Sequence, residues 1–133
     1  QGYKKALNDY GLDFDDSLIR VGESKIESGY NLTLDLVEKY NVSALLVANN
    51  VMTMGTMIFS REKHIKIPEE LAVIGYDDYD WTKITIPPLT VIKQPAYEMG
   101  EKAAQILLRR IEHPKKSFKE YRLPTELVIR ESC

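Results

Sequence analysis

Three observations place this chain in the α/β class, with a doubly wound parallel sheet. Apolar runs alternate with helical periodicity in the order strand, helix, strand, helix, strand between Leu18 and Ile74. That alternation demands parallel strands joined by right-handed crossovers. Ala44-Leu45-Leu46-Val47-Ala48 is apolar without interruption, as in a strand covered on both faces. The three runs end in polar turns, Gly22-Glu23-Ser24, Asn49-Asn50 and Tyr76-Asp77-Asp78. In open parallel sheets ligands bind beyond the carboxyl ends of the strands, so the three turns are expected on one rim.

Each element follows from local pattern. Tyr3, Ala6, Leu7 and Tyr10 recur at helical spacing until Gly11 stops them, as a C-cap glycine does. Leu18 to Val21 reads as a short strand. Ser24-Lys25-Ile26-Glu27 reads as a capping box, opening a helix through Leu32, Leu36 and Val37 to about Tyr40, with Asn41 ending it. After the apolar strand a further helix runs from Asn50 to about Lys63, and Ile67-Pro68-Glu69-Glu70 turns into the strand Leu71 to Ile74. Pro87-Pro88 is a stiff connector to a strand from Leu89 to Ile92. The helix Ala96 to Glu112 should point Met99, Ala103, Ile106 and Leu107 inward, before an exposed loop His113-Pro114-Lys115-Lys116. Tyr121 to Ile129 closes the chain as a strand that Pro124 confines to an edge or bulge.

At 133 residues, 44% hydrophobic and 29% charged, the chain is of the size and composition of one soluble folded unit. A net charge of -2 carries no basic excess of the kind a phosphate-backbone binder shows. Cys133 is the only cysteine, which argues against a disulfide framework and fits a reducing, cytoplasmic compartment. No apolar segment approaches the roughly 20 residues that span a bilayer, so no membrane role is expected. There is no nucleophile-base pair, phosphate-cradling glycine loop or metal-ligand spacing. We therefore expect no enzyme, no metal and no cofactor.

The rim turns hold the candidate binding residues. A carboxylate accepts hydrogen bonds from hydroxyls, and an adjacent ring covers the apolar face of a sugar or flat ligand. Tyr76-Asp77-Asp78-Tyr79-Asp80-Trp81 supplies both, and the strand-end position singles out Asp77. Asn49 serves as helix cap, ligand contact or both. Ser24 is most simply a cap. Trp81 is a ligand wall or an interface anchor. The helix after Asn50 is apolar nearly all round, through Val51, Met52, Met54, Met57, Ile58 and Phe59. Such a helix needs covering on both sides, and methionines suit an adaptable interface with a second subunit or domain; a core helix beneath a loop is the plainer alternative.

Three segments together resemble the lactose-repressor (LacI/GalR) family of bacterial transcription regulators. They are Ala48-Asn49-Asn50-Val51-Met52-Thr53-Met54-Gly55, Ile67-Pro68-Glu69-Glu70-Leu71-Ala72-Val73-Ile74-Gly75-Tyr76-Asp77-Asp78 and Pro88-Leu89-Thr90-Val91-Ile92-Lys93-Gln94-Pro95. Ser28-Gly29-Tyr30 and Thr125-Glu126-Leu127-Val128-Ile129-Arg130 keep the same order. The resemblance implies a core like that of periplasmic sugar receptors, a Rossmann-like three-layer sandwich with a sugar or sugar phosphate between two lobes. It implies that residues 1–88 and 113–133 form the second lobe. Residues 89–112 would be a strand and helix of a first lobe that this chain otherwise lacks, leaving them without their sheet.

It further implies that Asp77, Asn49 and Gln94 contact the effector. Ser24 stands where a stacking ring is common, which leaves Trp81 or Tyr79 to stack. Val51, Met52, Met54, Met57, Ile58 and Thr85 would form a homodimer face. Operator DNA would be bound through a helix-turn-helix headpiece that is not in this sequence. A sugar receptor of a transport system shares the architecture and is the alternative reading.

Overall fold

The computed structural model describes residues 1–115, 117 and 119–133, so Lys116 of the expected loop lies outside the described residues. In chain order come α1 (Gly2–Asp9), a 3-10 turn (Asp16–Leu18), α2 (Ile26–Tyr40), β1 (Ala44–Leu46) and α3 (Asn50–Glu62). Then follow β2 (Ala72–Tyr76), a 3-10 turn (Asp80–Lys83), β3 (Thr90–Lys93), α4 (Ala96–Glu112) and β4 (Glu126–Val128).

The four strands lie in the order β1-β2-β3-β4. β1 pairs parallel to β2 with Leu45 opposite Val73, and β2 pairs parallel to β3 with Gly75 opposite Val91. β4 runs antiparallel on β3 at the edge, where a proline just ahead of the strand is tolerated. The expected mostly parallel α/β sheet is therefore present. Leu71, Val73, Leu89 and Val91 form its dry centre, and Val37 of α2, Met57 of α3 and Trp81 pack against them.

The packing of α2 on α3 explains the composition of both. A Cβ added at Gly29 would lie 2.1 Å from the Met52 carbonyl oxygen, and one at Gly55 would lie 2.1 Å from that of Ile26. The two backbones meet at these glycines, and no side chain fits between them. Around that contact α3 buries Thr53, Gly55, Thr56, Phe59 and Ser60. The Thr33 and Thr56 hydroxyls bond each other at 2.8 Å, and the Ser60 hydroxyl donates to the Thr56 carbonyl at 3.0 Å, so no buried hydroxyl here is left unpaired.

Several expectations need correction. Leu18 to Val21 is not a strand. Arg20 donates there to the carbonyls of Ser17 and Ile19 and to Asp35, and these local bonds replace a ladder with β1. β1 is consequently an edge strand, and Ala44 and Leu46 are exposed while Leu45 is half-buried, so the run is covered on one face only. The capping box does not form: the N-cap of α2 is Lys25, one residue past Ser24, and makes no side-chain cap bond, while the Ser24 hydroxyl accepts from Asn49. The strand of residues 89–112 does not lack a sheet, since β3 pairs with β2 and puts Val91 in the core. α4 contributes no buried residue. Met99 and Leu107, expected inward, are 44% and 61% exposed, as are Leu108 at 62% and Ile111 at 68%.

The glycine contact makes a direct test. Gly29→Ala and Gly55→Ala should each destabilise the chain by about 1–3 kcal/mol, the range for overpacking a close contact. Gly100→Ala, whose new methyl meets nothing within 4 Å, should cost nothing and add helix propensity. Urea titrations of the three variants check this.

Candidate functional site

Because β1 and β2 run the same way, the residues that follow them emerge on one edge of the sheet. Asn49 sits in extended backbone as the N-cap of α3, where its Oδ1 accepts from the Met52 N–H at 3.0 Å. Its Nδ2 donates to Ser24 Oγ at 3.2 Å. The residue therefore takes up the capping role and also ties the two rim turns together. Gly22, Ser24, Leu46, Asn49 and Met52 line a cavity of about 570 Å³ beside β1.

Asp77 is the first residue after β2 and adopts a left-handed conformation, φ 69. Its N–H donates to the Ile92 carbonyl at 2.9 Å, which fastens the turn to β3. Gln94, just past β3, donates from Nε2 to Asp77 Oδ1 at 2.7 Å. Tyr76 and Gln94 open onto a second cavity of about 530 Å³ under α4, where the Lys102 ammonium lies 4.7 Å from the centre of the Tyr121 ring. The structure thus pairs Asn49 with Ser24 and Asp77 with Gln94. The two pairs share a rim, each opening on its own cavity.

The adjacent carboxylate faces elsewhere. Asp78 Oδ1 takes Arg130 Nη2 at 2.5 Å and the Thr82 hydroxyl at 3.1 Å. Burial alone would raise the Asp78 pKa, but these hydrogen bonds and the Arg130 charge outweigh it and hold the carboxyl below its usual range. Sequence reasoning missed this pair because 52 residues separate its members, and no periodic or motif signal links an aspartate in a turn to an arginine after an edge strand.

Trp81 is not brought to the Ser24–Asn49 cavity. Its indole N–H donates to Asn50 Oδ1 at 3.0 Å, and its ring packs on the core. With Met57, Ile58, Thr85 and Ile86 it lines a third cavity, about 740 Å³. Ile84 and Ile86 stand beside it 81% and 97% exposed. Met57, Ile58 and Thr85 of the expected dimer face are therefore together, whereas Met52 turns to the Asn49 cavity. Val51 and Met54 are half-buried. No group of His, Cys, Asp and Glu among the described residues is arranged to hold a metal, and no described helix is long and apolar enough to cross a membrane.

Residues 1–133 match the family described as "periplasmic binding protein-like domain". The chain is 33% identical over 136 residues to the HTH-type transcriptional repressor PurR of Haemophilus influenzae, covering 99% of this chain and 40% of that protein. It is 32% identical over 133 residues to the HTH-type transcriptional regulator CelR of Thermobifida fusca, covering 99% and 39%. Among solved structures, a CelR–cellobiose complex superposes with a TM-score of 0.92 at 31% identity, covering 100% of this chain and 41% of that one. A LacI-family transcriptional regulator from Enterococcus faecium with bound ribose gives 0.84 at 33% identity, covering 98% and 48%. The lactose-repressor resemblance of the sequence is borne out, and the chain spans about 40% of the length of the curated relatives it matches.

The Asp78–Arg130 pair predicts a pH dependence. A carboxyl whose folded pKa lies below its unfolded value stabilises the fold above the unfolded pKa, near 3.9. That stability is lost as pH falls through the lower folded value. Asp78→Asn should cost about 3 kcal/mol at pH 7, the scale for leaving one member of such a pair unmatched. It should also flatten the acid limb of a stability-versus-pH curve, which denaturant titrations from pH 7 down to pH 2.5 would record.

Proposed function

The chain belongs to the periplasmic-binding-protein-like domain family, and from that premise we propose that it is the effector-binding and dimerisation core, chiefly the second lobe, of a LacI-type transcriptional regulator. The observation that carries this reading is the rim. Asn49 with Ser24 and Asp77 with Gln94 set hydrogen-bonding side chains at the carboxyl ends of adjacent parallel strands. A carboxylate, an amide oxygen and a hydroxyl together suit a ligand rich in hydroxyl groups. The cellobiose complex and the ribose-bound regulator among the similar structures support a sugar or sugar-like effector.

In this reading residues 1–88, together with β3, and residues 113–133 form the second lobe, because β3 pairs with both β2 and β4. Gln94 marks the crossing point, and α4 is the part of residues 89–112 that belongs to a first lobe. The exposed side chains of Met99, Leu107, Leu108 and Ile111 would pack there. An effector held between the lobes favours one lobe angle. That population shift sets how DNA-binding headpieces, in a part of the protein outside these residues, sit on operator DNA. Met57, Ile58 and Thr85, with Val51 and Met54, form the homodimer face, extended by Ile84 and Ile86. Met52 belongs to the effector side. The protein works in the cytoplasm, where DNA is its target.

Three results check the proposal. Asp77→Asn in the whole protein should weaken sugar binding about 10–100-fold, the scale of one lost charged hydrogen bond, by calorimetry with the best sugar of a thermal-shift screen that includes cellobiose and ribose. Met57→Glu or Ile58→Glu should shift the whole protein from dimer to monomer in sedimentation equilibrium at micromolar concentration. The 133-residue chain alone should show no specific operator binding in moderate salt.

A further inference from the structure

We propose that Arg130 is a positioning residue for the rim carboxylate: by holding Asp78, it keeps Asp77 in the left-handed conformation in which its carboxylate meets Gln94. Only the consequence for effector affinity rests on the function proposed above.

A left-handed φ is disfavoured for residues with a side chain, less so for aspartate than for most, and it is kept where the surroundings hold it. Asp77 has φ 69, and it is held from both sides. On the amino side its own N–H is tied to the Ile92 carbonyl at 2.9 Å. On the carboxyl side the anchor is Asp78, whose Oδ1 receives Arg130 and Thr82. The same guanidinium donates through Nη1 to Thr82 Oγ1 at 3.0 Å and to the Leu89 carbonyl at 2.8 Å. One planar group therefore ties the Asp77–Asp78 turn, the 3-10 turn and the start of β3 together.

Arg130 is fixed in its turn. Its N–H donates to Thr90 Oγ1 at 2.9 Å. Two residues on, buried Ser132 accepts from the Val73 N–H at 2.8 Å, accepts through Oγ from the Thr90 N–H at 2.8 Å, and donates to the Val73 carbonyl at 2.6 Å. The end of the chain is thus wedged between β2 and β3, and it aims Arg130 at the turn from beneath. Arg130 is absent from the linings of the three cavities described above, so its route to the rim runs through Asp78. Without Arg130 the Asp78 carboxylate, 11% exposed, keeps one neutral partner and is driven toward water. Turning it out rotates the Asp77–Asp78 peptide and lets Asp77 leave its left-handed φ. Lysine cannot substitute, because a single ammonium does not span Asp78, Thr82 and Leu89 together.

The test is NMR hydrogen exchange on the full chain with Arg130→Met and Arg130→Lys, the lysine variant keeping the charge should the methionine one not fold. Expected is a loss of Asp77 N–H protection of about tenfold or more, with the Gln94 side-chain amide shifting to solvent-like values, while Thr56 in the α2–α3 contact keeps its protection. Asp77 and Gln94 signals unchanged, or protection falling at Asp77 and Thr56 by the same factor, would overturn the proposal. A separate arm measures sugar binding by the whole protein carrying Arg130→Lys, with and without Asp77→Asn. Positioning predicts that Arg130→Lys weakens binding at least threefold alone and not at all on top of Asp77→Asn. Lost Asp77 protection with unchanged sugar binding would remove Asp77 from the effector site and leave the positioning role standing.

Discussion

Parallel pairing is the constraint on which this molecule depends. Parallel strands cannot be joined by a tight turn, so each must hand over to a crossover that returns the chain to the starting edge. Once Leu45 lies opposite Val73 and Gly75 opposite Val91, Asn49 and Asp77 have to emerge at the same end. Reverse β1 and Asn49 would leave from the opposite edge, with every side chain in place and no common rim. The ladder is secured by Val73 and Val91, both fully buried, each contributing on the order of 1.5–3 kcal/mol over an exposed position.

The crossover α3 shows how the same pairing decides composition. Its contact with α2 is so close that only Gly29 and Gly55 fit there, and the buried places around them go to Thr53, Thr56 and Ser60. Small hydroxyl side chains fill a narrow gap and bond to the carbonyl one turn back or to each other. Phe59 is fully buried as well, while Met54, Met57 and Ile58 lie on half-buried flanks. Met57 reaches the core from its flank and shares a cavity with Ile58, with the exposed Ile84 and Ile86 beside it.

How much of this was legible beforehand follows from the range of the forces involved. The helices and the order of the strands were, because periodicity and end signals such as Asn41 in its left-handed C-cap act within a few residues. The boundaries of β2 and β3 were off by one or two residues, since where pairing stops depends on the neighbouring strand. The apolar run at Ala44 to Ala48 reads as doubly covered, but a run cannot report that Arg20 ties the neighbouring segment to its own carbonyls and to Asp35. The positions of Asn49 and Asp77 on one rim were legible from topology. Their partners are less so: Gln94 comes from resemblance and Ser24 reads as a cap, while no pattern in the sequence links Arg130 to the neighbouring Asp78. Trp81 is open to two roles in the sequence, and its indole is tied to Asn50, a partner 31 residues away.

The Asp78–Arg130 pair is hard to account for by stability alone. Bringing two charges to 11% and 16% exposure sacrifices hydration that their attraction only partly returns, and a well-packed apolar pair of similar volume is often as stable or more so. What an apolar pair cannot supply is direction. The guanidinium fixes Asp78, Thr82 and Leu89 at set angles, whereas apolar side chains in the same space would tolerate small rotations of the turn. Asp77 sits one peptide away from that anchor, in a conformation that a small rotation would relax. An ion pair here trades stability for a defined backbone at the rim, which is what a carboxylate needs if it is to meet the same partner in every molecule.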